Sequence, residues 1–492
     1  MAQTYKQLKE AWVSGHTGSS VADVNSVSLA MPLSILLWSV VQSRMRLFTP
    51  YALPSLVVDF LLNCGVTLFA TTIYASTPWV LNLLLLLPAA ILFVLERPAP
   101  AGRHVPRRHK KDDDAKQQKL DPLPVKPFIT NYRGAMMVIT CVAILAVDFR
   151  VFPRRFAKVE NWGTSLMDMG VGSFVFTAGV VSVRSALKEG AGRRPSLSKR
   201  LVTSTRHSIP LLVLGTVRLI SVKGLDYAEH VSEYGIHWNF FFTLAFLPPF
   251  VALFQSVFDL VPSYAVLSCL LAAVYEIALD WTSLGSYILV APRTNILSQN
   301  REGIFSFIGY LAIFLAGQSL GSIALPRQVP LPKDASPVDF LRKTMLGRLA
   351  IASLIWTALF YFSTSYYGLR LSVSRRIANL PYFLWVSSFN SYQITICCAI
   401  ETLLFPDLYK TPSSAVDEKQ KTREATSTVL HAFNRNGLAV FLVANLLTGL
   451  VNMTMPTLHM GVLQSMGVLG VYTAAVAGVA VGLDKWNVSI KL

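Results

Sequence analysis

Charged residues are scarce in this chain of 492 residues. Asp, Glu, Lys and Arg make up 14% of it, hydrophobic residues make up 53%, and the mean hydropathy is +0.48. Soluble globular domains carry about 25% charged residues. This composition excludes an ordinary soluble protein and indicates that lipid surrounds most of the chain.

Cysteine is also rare, and the five cysteines show neither a metal-ligand spacing nor the pattern of a disulfide framework. We interpret them as small packing residues, with an acyl-cysteine intermediate as the alternative. The sequence has no Walker A motif, no Rossmann glycine fingerprint, no GxSxG elbow and no metal-ligand cluster. We therefore expect no metal site and no bound cofactor.

Long apolar runs are what the sequence does contain. Each membrane crossing needs about 20 apolar residues, and only helices satisfy their own backbone polar groups over such a run. The predicted fold is an all-α, polytopic transmembrane bundle with about thirteen spans, a single integral-membrane domain over residues 1–492. The predicted spans are 27–42, 55–75, 79–95, 135–152, 166–187, 209–222, 237–258, 262–279, 304–325, 346–362, 382–404, 430–451 and 458–483.

The formal net charge of +17 follows the membrane topology and does not indicate a nucleic-acid partner. Loops after odd-numbered spans, together with the C-terminus, hold more than twice as many Lys and Arg as the opposite set. Because cytosolic loops are enriched in Lys and Arg, we expect a lumenal N-terminus and a cytosolic C-terminus. Segments 97–133 and 405–429 are then a cytosolic linker and a cytosolic loop.

The first polar segment on the lumenal side is AVDFRVFPRRFAKVENWGTSLMDMGVG, residues 146–172. Asp148 closes an apolar span, where partial desolvation raises a carboxyl pKa and the basic residues that follow lower it again. Such a carboxylate suits a general base, and an interfacial salt bridge is the alternative. Lys158 suits stabilisation of an oxyanion, or it extends to the membrane interface as a structural lysine.

The same segment offers four further substrate-binding candidates. Arg154 and Arg155 follow a proline and suit either a substrate phosphate or lipid headgroups. Trp162 and Asp168 complete the candidates of this segment.

Two later lumenal segments combine aromatic, acidic and amide residues beside predicted spans. Residues 224–244 suit proton transfer or sugar binding, and an interfacial aromatic belt is the alternative. Residues 291–307 form a hydrogen-bonding set that suits hydroxyl groups or phosphate, or else a capped and solvated loop. The candidates are His230, Glu233, Tyr234, His237, Trp238, Asn239, Asn295, Asn300 and Arg301.

Several polar residues fall inside predicted spans, where they are costly unless they are paired or face a cavity. These residues are Arg218, Glu276, Asn390, Gln393, Arg435 and Asn445.

Long motifs of this chain resemble the inositol acyltransferase family of glycosylphosphatidylinositol (GPI) anchor synthesis. The resemblance covers nearly the whole chain and rests on KEAWVSGHTGSS, FPRRFAKVENWGTSLMDMGVGSFVF, APRTNILSQNREGIFSF, NLPYFLW and NRNGLAVFLVANLLTGLVN. It implies an endoplasmic reticulum enzyme with thirteen spans and lumenal motifs, acting on glucosaminyl-phosphatidylinositol with acyl-CoA, usually palmitoyl-CoA, as co-substrate. Asp148 and Lys158 match the acid and lysine of the family motif, so the resemblance implies catalytic roles for both.

The expected mechanism is direct acyl transfer to an inositol hydroxyl. Asp148 is the expected base, Lys158 orients it or stabilises the oxyanion, and His237 and His230 are reserve candidates. The expected partners are the glycolipid, acyl-CoA and membrane lipids, without nucleic acid. A lipid or solute transporter is the alternative function, and a scaffold in a membrane complex is a third.

Overall fold

The protein is mainly helical in the parts that the structure, a computed structural model, describes. It describes residues 5–96, 120–189, 196–224, 231–257, 261–328, 336–409 and 414–490. Within these ranges there is no β-strand, and one isolated bridge joins Ser19 to Thr164. The prediction of an all-α fold is therefore confirmed.

The helices are numbered in chain order. Those of the first half are α1 (Tyr5–Val13), α2 (Val21–Ser28), α3 (Ala30–Met45), α4 (Leu53–Phe60), α5 (Val66–Thr71), α6 (Pro78–Leu95), α7 (Pro127–Ala146), α8 (Leu166–Glu189), α9 (Leu197–Gly224), α10 (Val231–Tyr234) and α11 (Phe240–Val257). Those of the second half are α12 (Tyr264–Trp281), α13 (Leu284–Val290), α14 (Ile296–Gln299), α15 (Arg301–Ala324), α16 (Pro337–Lys343), α17 (Met345–Thr364), α18 (Leu380–Leu404), α19 (Ala415–Glu424), α20 (Thr428–Arg435), α21 (Gly437–Thr454) and α22 (Val462–Lys485). A π-helical turn, Leu61–Gly65, joins α4 to α5.

Eleven helical segments of the described chain are long and apolar enough to cross a membrane. They coincide with eleven of the predicted spans, which confirms a polytopic bundle. The other two predicted spans coincide with α9, which carries several basic residues, and with α11, which is short. The total of about thirteen spans stays a prediction.

The fourth span begins earlier than the apolar pattern predicts, at Pro127 and not at residue 135. Its first turns lie inside the protein, where polar side chains have protein partners. Asn131 donates to the Ala425 carbonyl at 3.2 Å and accepts from the Ser427 amide at 3.1 Å. Segment 97–133 therefore ends in a helix, and its residues 97–119 lie outside the described ranges. Segment 405–429 likewise contains α19.

The helices α7, α8, α15 and α18 form the centre of the bundle, and most of their residues are buried. The pair α8 and α15 packs with its backbones in contact. A Cβ atom at Gly179 would overlap the Phe314 carbonyl, and one at Gly317 would overlap the Phe176 carbonyl. Small residues allow such close approach of membrane helices, so this pair forms a rigid wall of the bundle.

The N-terminal segment and the loops after even-numbered spans meet at one end of the bundle, which we call the site end. Trp12 donates to the Val147 carbonyl at 3.0 Å, and Arg376 donates to Asn161 at 2.6 Å. Loops of the other set meet at the opposite end, where Arg327 pairs with Glu418 at 2.8 Å. The two sets of loops that differ in their Lys and Arg content thus lie at opposite ends of the bundle.

Candidate active site

A cavity lies between the central helices and extends to residues of the site end. Its walls are mainly apolar and come largely from α7, α8, α11, α18 and α21, whereas its polar end carries charged side chains. The residues at this polar end are Lys158, Arg218, Glu233, Tyr234 and Asn239. An apolar chamber with a few convergent polar groups is the usual form of a small-molecule site.

One face of α7 leads along this cavity to Asp148. Tyr132, Met136, Thr140 and Ile144 all line it and follow one another at intervals of four residues. Such residues share one face of a helix, and this row spans about 18 Å. Asp148 follows Ile144 by the same interval, two residues beyond the helix end, so it lies where the row reaches the site end.

Asp148 is held by residues from both ends of the chain. Its Oδ2 accepts a hydrogen bond from the Asn452 amide at 2.7 Å, and the oxygen of that amide accepts from the Lys9 ammonium at 2.8 Å. Burial raises the pKa of Asp148, while the hydrogen bond from Asn452 and the charge of Lys9 lower that pKa in part. The structure therefore gives this carboxyl the balance of burial and stabilisation that suits a general base.

Lys158 is paired with Glu233 and not with Asp148. The Lys158 ammonium lies 2.6 Å from Glu233 Oε1, and both side chains line the cavity. Arg375 also approaches this carboxylate, with Nη2 at 3.4 Å from the same oxygen. Two cations therefore share one carboxylate at the polar end of the cavity.

Asp168 lies behind this group and is fully buried. Its Oδ1 accepts from Arg375 Nε at 2.6 Å, while its Oδ2 accepts from the Ser165 hydroxyl at 2.8 Å and from the Val159 amide at 3.1 Å. Because the Val159 amide is next to Lys158, Asp168 fixes the backbone that presents the lysine. These contacts support the loop from its buried side, and substrate binding by Asp168 stays a prediction.

A second buried group of charged residues, centred on Glu302, supports the loop that contains Asn161. The Glu302 carboxylate lies 2.5 Å from Arg293 and 3.0 Å from Arg376. Arg376 in turn donates to Asn161 at 2.6 Å, and the Ser374 hydroxyl donates to the Asn161 carbonyl at 2.6 Å. Arg301 also approaches the Glu302 carboxylate, with Nε 3.7 Å from Oε1, so three guanidinium groups compensate the charge of this buried carboxylate and the group is a rigid base for the site end.

The predicted amides and Trp238 shape the turns around the cavity. Asn300 accepts from the His237 and Trp238 amides at 2.8 and 3.0 Å. Asn239 lines the cavity and donates to the Gly215 carbonyl at 2.9 Å. The Trp238 indole donates to Thr243 at 2.9 Å, so it is anchored to the start of α11.

Asn295 and Arg301 lie farther from the cavity. Asn295 caps α14, where its side chain accepts from the Ser298 amide at 2.8 Å. Arg301 is buried and donates to the Ile288 carbonyl at 2.7 Å and to the Ala291 carbonyl. Contacts of Asn295, Asn300 and Arg301 with glycan hydroxyls stay a prediction.

The two arginines after Pro153 bind to other parts of the site end. Arg155 pairs with Asp23 at 2.7 Å and donates to the Ala75 carbonyl at 2.8 Å. Arg154 donates to the Ala11 carbonyl at 3.2 Å and lies over the Trp12 ring. Their role in binding phosphate stays a prediction.

The remaining candidates do not line the cavity in the described part of the chain. Trp162 is half exposed beside Asn161. His237 Nδ1 lies 3.4 Å from the Asn300 amide nitrogen. His230 lies outside the described residues. The two reserve bases stay predictions.

Sequence reasoning missed Arg375, Arg376 and Asn452. The pair of arginines stands in the motif SVSRRIANLPYFLW, close to the quoted NLPYFLW, and this closeness was the available signal. Asn452 ends the apolar run of α21 and is the last residue of the quoted motif NRNGLAVFLVANLLTGLVN, which was its only signal, because an amide at a helix end is common. Of the polar residues noted inside spans, Arg218 and Asn445 line the cavity, whereas Glu276 accepts from the Leu380 amide at 2.7 Å.

The arrangement can bind an apolar chain and move a proton at its polar end. No group of three or more His, Cys, Asp and Glu suited to a metal occurs in the described ranges. Asp148, which lies beyond the last cavity residue of the α7 row, supplies a carboxylate of raised pKa, Lys158 supplies a cation at the polar end, and most of the cavity wall is apolar. These are the components of a site that activates a hydroxyl group beside an acyl chain.

Comparison with known proteins identifies relatives that match along the whole chain. The GWT1 family model matches residues 5–483. The "GPI-anchored wall transfer protein 1" of Gibberella zeae is 55% identical over 501 residues, covering 99% of both chains. The proteins of that name from Aspergillus fumigatus and Saccharomyces cerevisiae are 53% and 38% identical, covering at least 99% of both chains. This chain therefore belongs to the GWT1 family of GPI-anchored wall transfer proteins.

Proposed function

We propose that this protein is an O-acyltransferase of GPI-anchor biosynthesis. It transfers a fatty acyl chain, typically palmitoyl, from acyl-CoA to an inositol hydroxyl of glucosaminyl-phosphatidylinositol. The observation that carries this proposal is the cavity, which is apolar along about 18 Å of α7 and ends at Lys158, Glu233 and the row that leads to Asp148. A fatty chain fits the apolar part, and a hydroxyl acceptor fits the polar end.

The proposed reaction is a direct transfer at the polar end. Asp148 takes the proton of the inositol hydroxyl as its oxygen attacks the thioester carbonyl, and Lys158 stabilises the oxyanion that forms. The C–O bond forms, the C–S bond breaks, and Asp148 returns its proton to the CoA thiolate. A thiol of pKa about 8.5 is a good leaving group, so the reaction needs a base more than an acid.

We place the protein in the endoplasmic reticulum membrane, with the site end and the N-terminus in the lumen and the C-terminus in the cytosol. The charge of the loops supports this orientation. The cavity extends along α7 from Ile144 near the site end to Tyr132, so an acyl chain whose thioester lies at the site end can extend into the bundle. Asn487 begins an N-x-S sequon, and a glycan attached to it would contradict this orientation.

The proposed activity is tested by incubating the purified full-length protein with radiolabelled palmitoyl-CoA and glucosaminyl-phosphatidylinositol. We expect a labelled product whose acyl group is bound to inositol as an ester. Acceptor-free and heat-denatured samples serve as controls. Folded protein that forms no such product would contradict the proposal, and movement of lipid across proteoliposomes in its place would support the transporter alternative.

Replacement of Asn452 by Leu is expected to move the acid limb of the pH–rate profile to higher pH. Asn452 donates to Asp148 and lowers its pKa, so its removal raises that pKa further. Because the base must be ionised, activity then begins to fall at a higher pH as the pH decreases. The measurement is kcat/KM against pH, with Thr454→Val on the same helix as the control. An unchanged acid limb would show that Asp148 does not control it.

Replacement of Ser173 by Phe is expected to shorten the preferred acyl chain. Ser173 lines the cavity near Tyr132, which is the end of the row farthest from Asp148. Each buried CH₂ contributes about 0.8 kcal/mol, so loss of four of them costs about 3 kcal/mol. We expect palmitoyl transfer to fall about a hundredfold relative to dodecanoyl transfer. Ser173→Ala is the matched control, and an unchanged preference in the Phe variant would exclude this course for the chain.

A further inference from the structure

Arg218 lies in an apolar part of α9, near the site end. It is six residues before the end of this helix, a distance of about 9 Å along the axis. Its side chain lines the cavity that also contains Lys158 and Glu233. The adjacent Val217 and Ile220 are 53% and 67% exposed on the outer surface of the bundle, where a membrane protein meets lipid. This turn of α9 therefore borders both the bilayer and the cavity.

No carboxylate of the described chain pairs with Arg218. Its guanidinium lies 6.0 Å from the centre of the Phe241 ring, and this ring also lines the cavity. Lys158, in contrast, is paired with Glu233, which also receives Arg375. Among the described residues, the charged side chains that line the polar end, Lys158, Arg218 and Glu233, thus carry more positive than negative charge. An anion is the ligand that would compensate it.

Both substrates of the proposed reaction carry phosphate, but at different distances from the reacting atoms. In the acceptor, a phosphodiester is attached directly to the inositol ring that supplies the hydroxyl. In the donor, the phosphates are separated from the thioester by the whole pantetheine arm. Arg218 shares a cavity with Lys158, so the phosphate within its reach is the one on the inositol ring.

We propose that Arg218 binds the phosphodiester of the glycolipid acceptor. This inference rests on the proposed function and adds a residue that selects and positions the acceptor. The guanidinium group suits this role because it donates two parallel hydrogen bonds to phosphate oxygens. A phospholipid that approaches from the bilayer beside Val217 and Ile220 brings its headgroup to Arg218 while its own chains stay in lipid.

The experiment compares Arg218→Gln with the wild-type protein while acceptor and donor are varied separately. We expect the KM for glucosaminyl-phosphatidylinositol to rise about tenfold or more, because a charge-assisted hydrogen bond is lost. The KM for palmitoyl-CoA is expected to change less than about twofold. Arg206→Gln removes the same charge from a position of α9 that is not among the cavity-lining residues, and it is the matched control.

A second arm uses an acceptor analogue whose phosphate is methylated and therefore neutral. The wild-type protein is expected to discriminate against this analogue by about tenfold, and Arg218→Gln is expected to lose most of this discrimination. If Arg218→Gln does not fold, Arg218→Lys tests the same contact, since it keeps the charge and loses the paired donors. A rise of several fold in the acceptor KM is then expected.

Three results would overturn the inference. They are an unchanged acceptor KM, a rise confined to the donor KM, and full discrimination against the neutral analogue in Arg218→Gln. Binding of dioctanoyl glucosaminyl-phosphatidylinositol, measured by calorimetry without donor, separates the two proposals. The wild-type protein could bind this acceptor more tightly than Arg218→Gln and yet form no acylated product. That result would support the contact with Arg218 and refute the proposed reaction.

Discussion

Replacement of Asp148 by Asn is expected to reduce kcat by about a hundredfold to ten-thousandfold, because a general base contributes a factor of this size. The amide has almost the same shape as the carboxylate and can still contact Asn452, which lies 2.7 Å away. It cannot accept a proton from the inositol hydroxyl. The loss is therefore expected in the rate and not in the amount of folded protein, as measured by thermal unfolding in detergent.

The pH dependence of the residual activity makes this test specific. Burial raises the pKa of Asp148, so wild-type activity is expected to fall as the pH decreases through that raised value. In Asp148→Asn this acid limb is expected to disappear. Asp484→Asn is the matched control, since Asp484 is also partly buried and is paired with Arg435 at 2.8 Å. If a folded Asp148→Asn variant kept a kcat near that of the wild-type protein, Asp148 would not be the base.

Replacement of Lys158 by Met is expected to reduce kcat by about a hundredfold to a thousandfold, the usual effect of losing one donor to an oxyanion. Met keeps much of the aliphatic length of lysine, so the cavity wall is preserved. The measurement is single-turnover transfer at saturating donor and acceptor. Lys158→Arg keeps the charge and is expected to retain part of the rate.

A double variant separates catalysis from structural pairing. Lys158 lies 2.6 Å from Glu233, and its removal leaves this carboxylate with fewer cations. If pairing were its only role, Glu233→Gln in the same protein would restore activity, because no charge would then lack its partner. We expect no restoration. If activity recovered in the double variant, the only role of Lys158 would be to compensate the charge of Glu233.

The sequence predicts the helices of this bundle well because apolar length is a local property. Each predicted span overlaps helical structure, in two or more consecutive helices for spans such as 55–75 and 430–451, since about 20 apolar residues in lipid have few other conformations. Apolar length does not predict where α7 begins. Its polar residues Asn131 and Tyr132 are inside the protein, where Tyr132 donates to Asn390 at 2.7 Å, and hydropathy cannot anticipate such a partner.

The candidate site is only partly accessible to sequence reasoning. Asp148 and Lys158 stand in one short motif, but each has a partner far away in the chain. Asn452 is 304 residues from Asp148, and Glu233 comes from a different loop. Arg218 illustrates the same limit. The sequence shows only a charged residue inside a predicted span, where burial of its charge in lipid is unfavourable, and only the fold shows that it lines a cavity.

The contacts of Asp148 also set the order in which the site can form during synthesis. Ribosomes make the chain from its N-terminus, so Lys9 and Asp148 are made long before Asn452 exists. The hydrogen bond that orients the carboxylate becomes available only when α21 has been inserted, with one helix, α22, still to follow. A chain interrupted before this point carries Asp148 without Asn452. The contacts of Asp148 are thus completed late in the assembly of the bundle, when only α22 remains to be added.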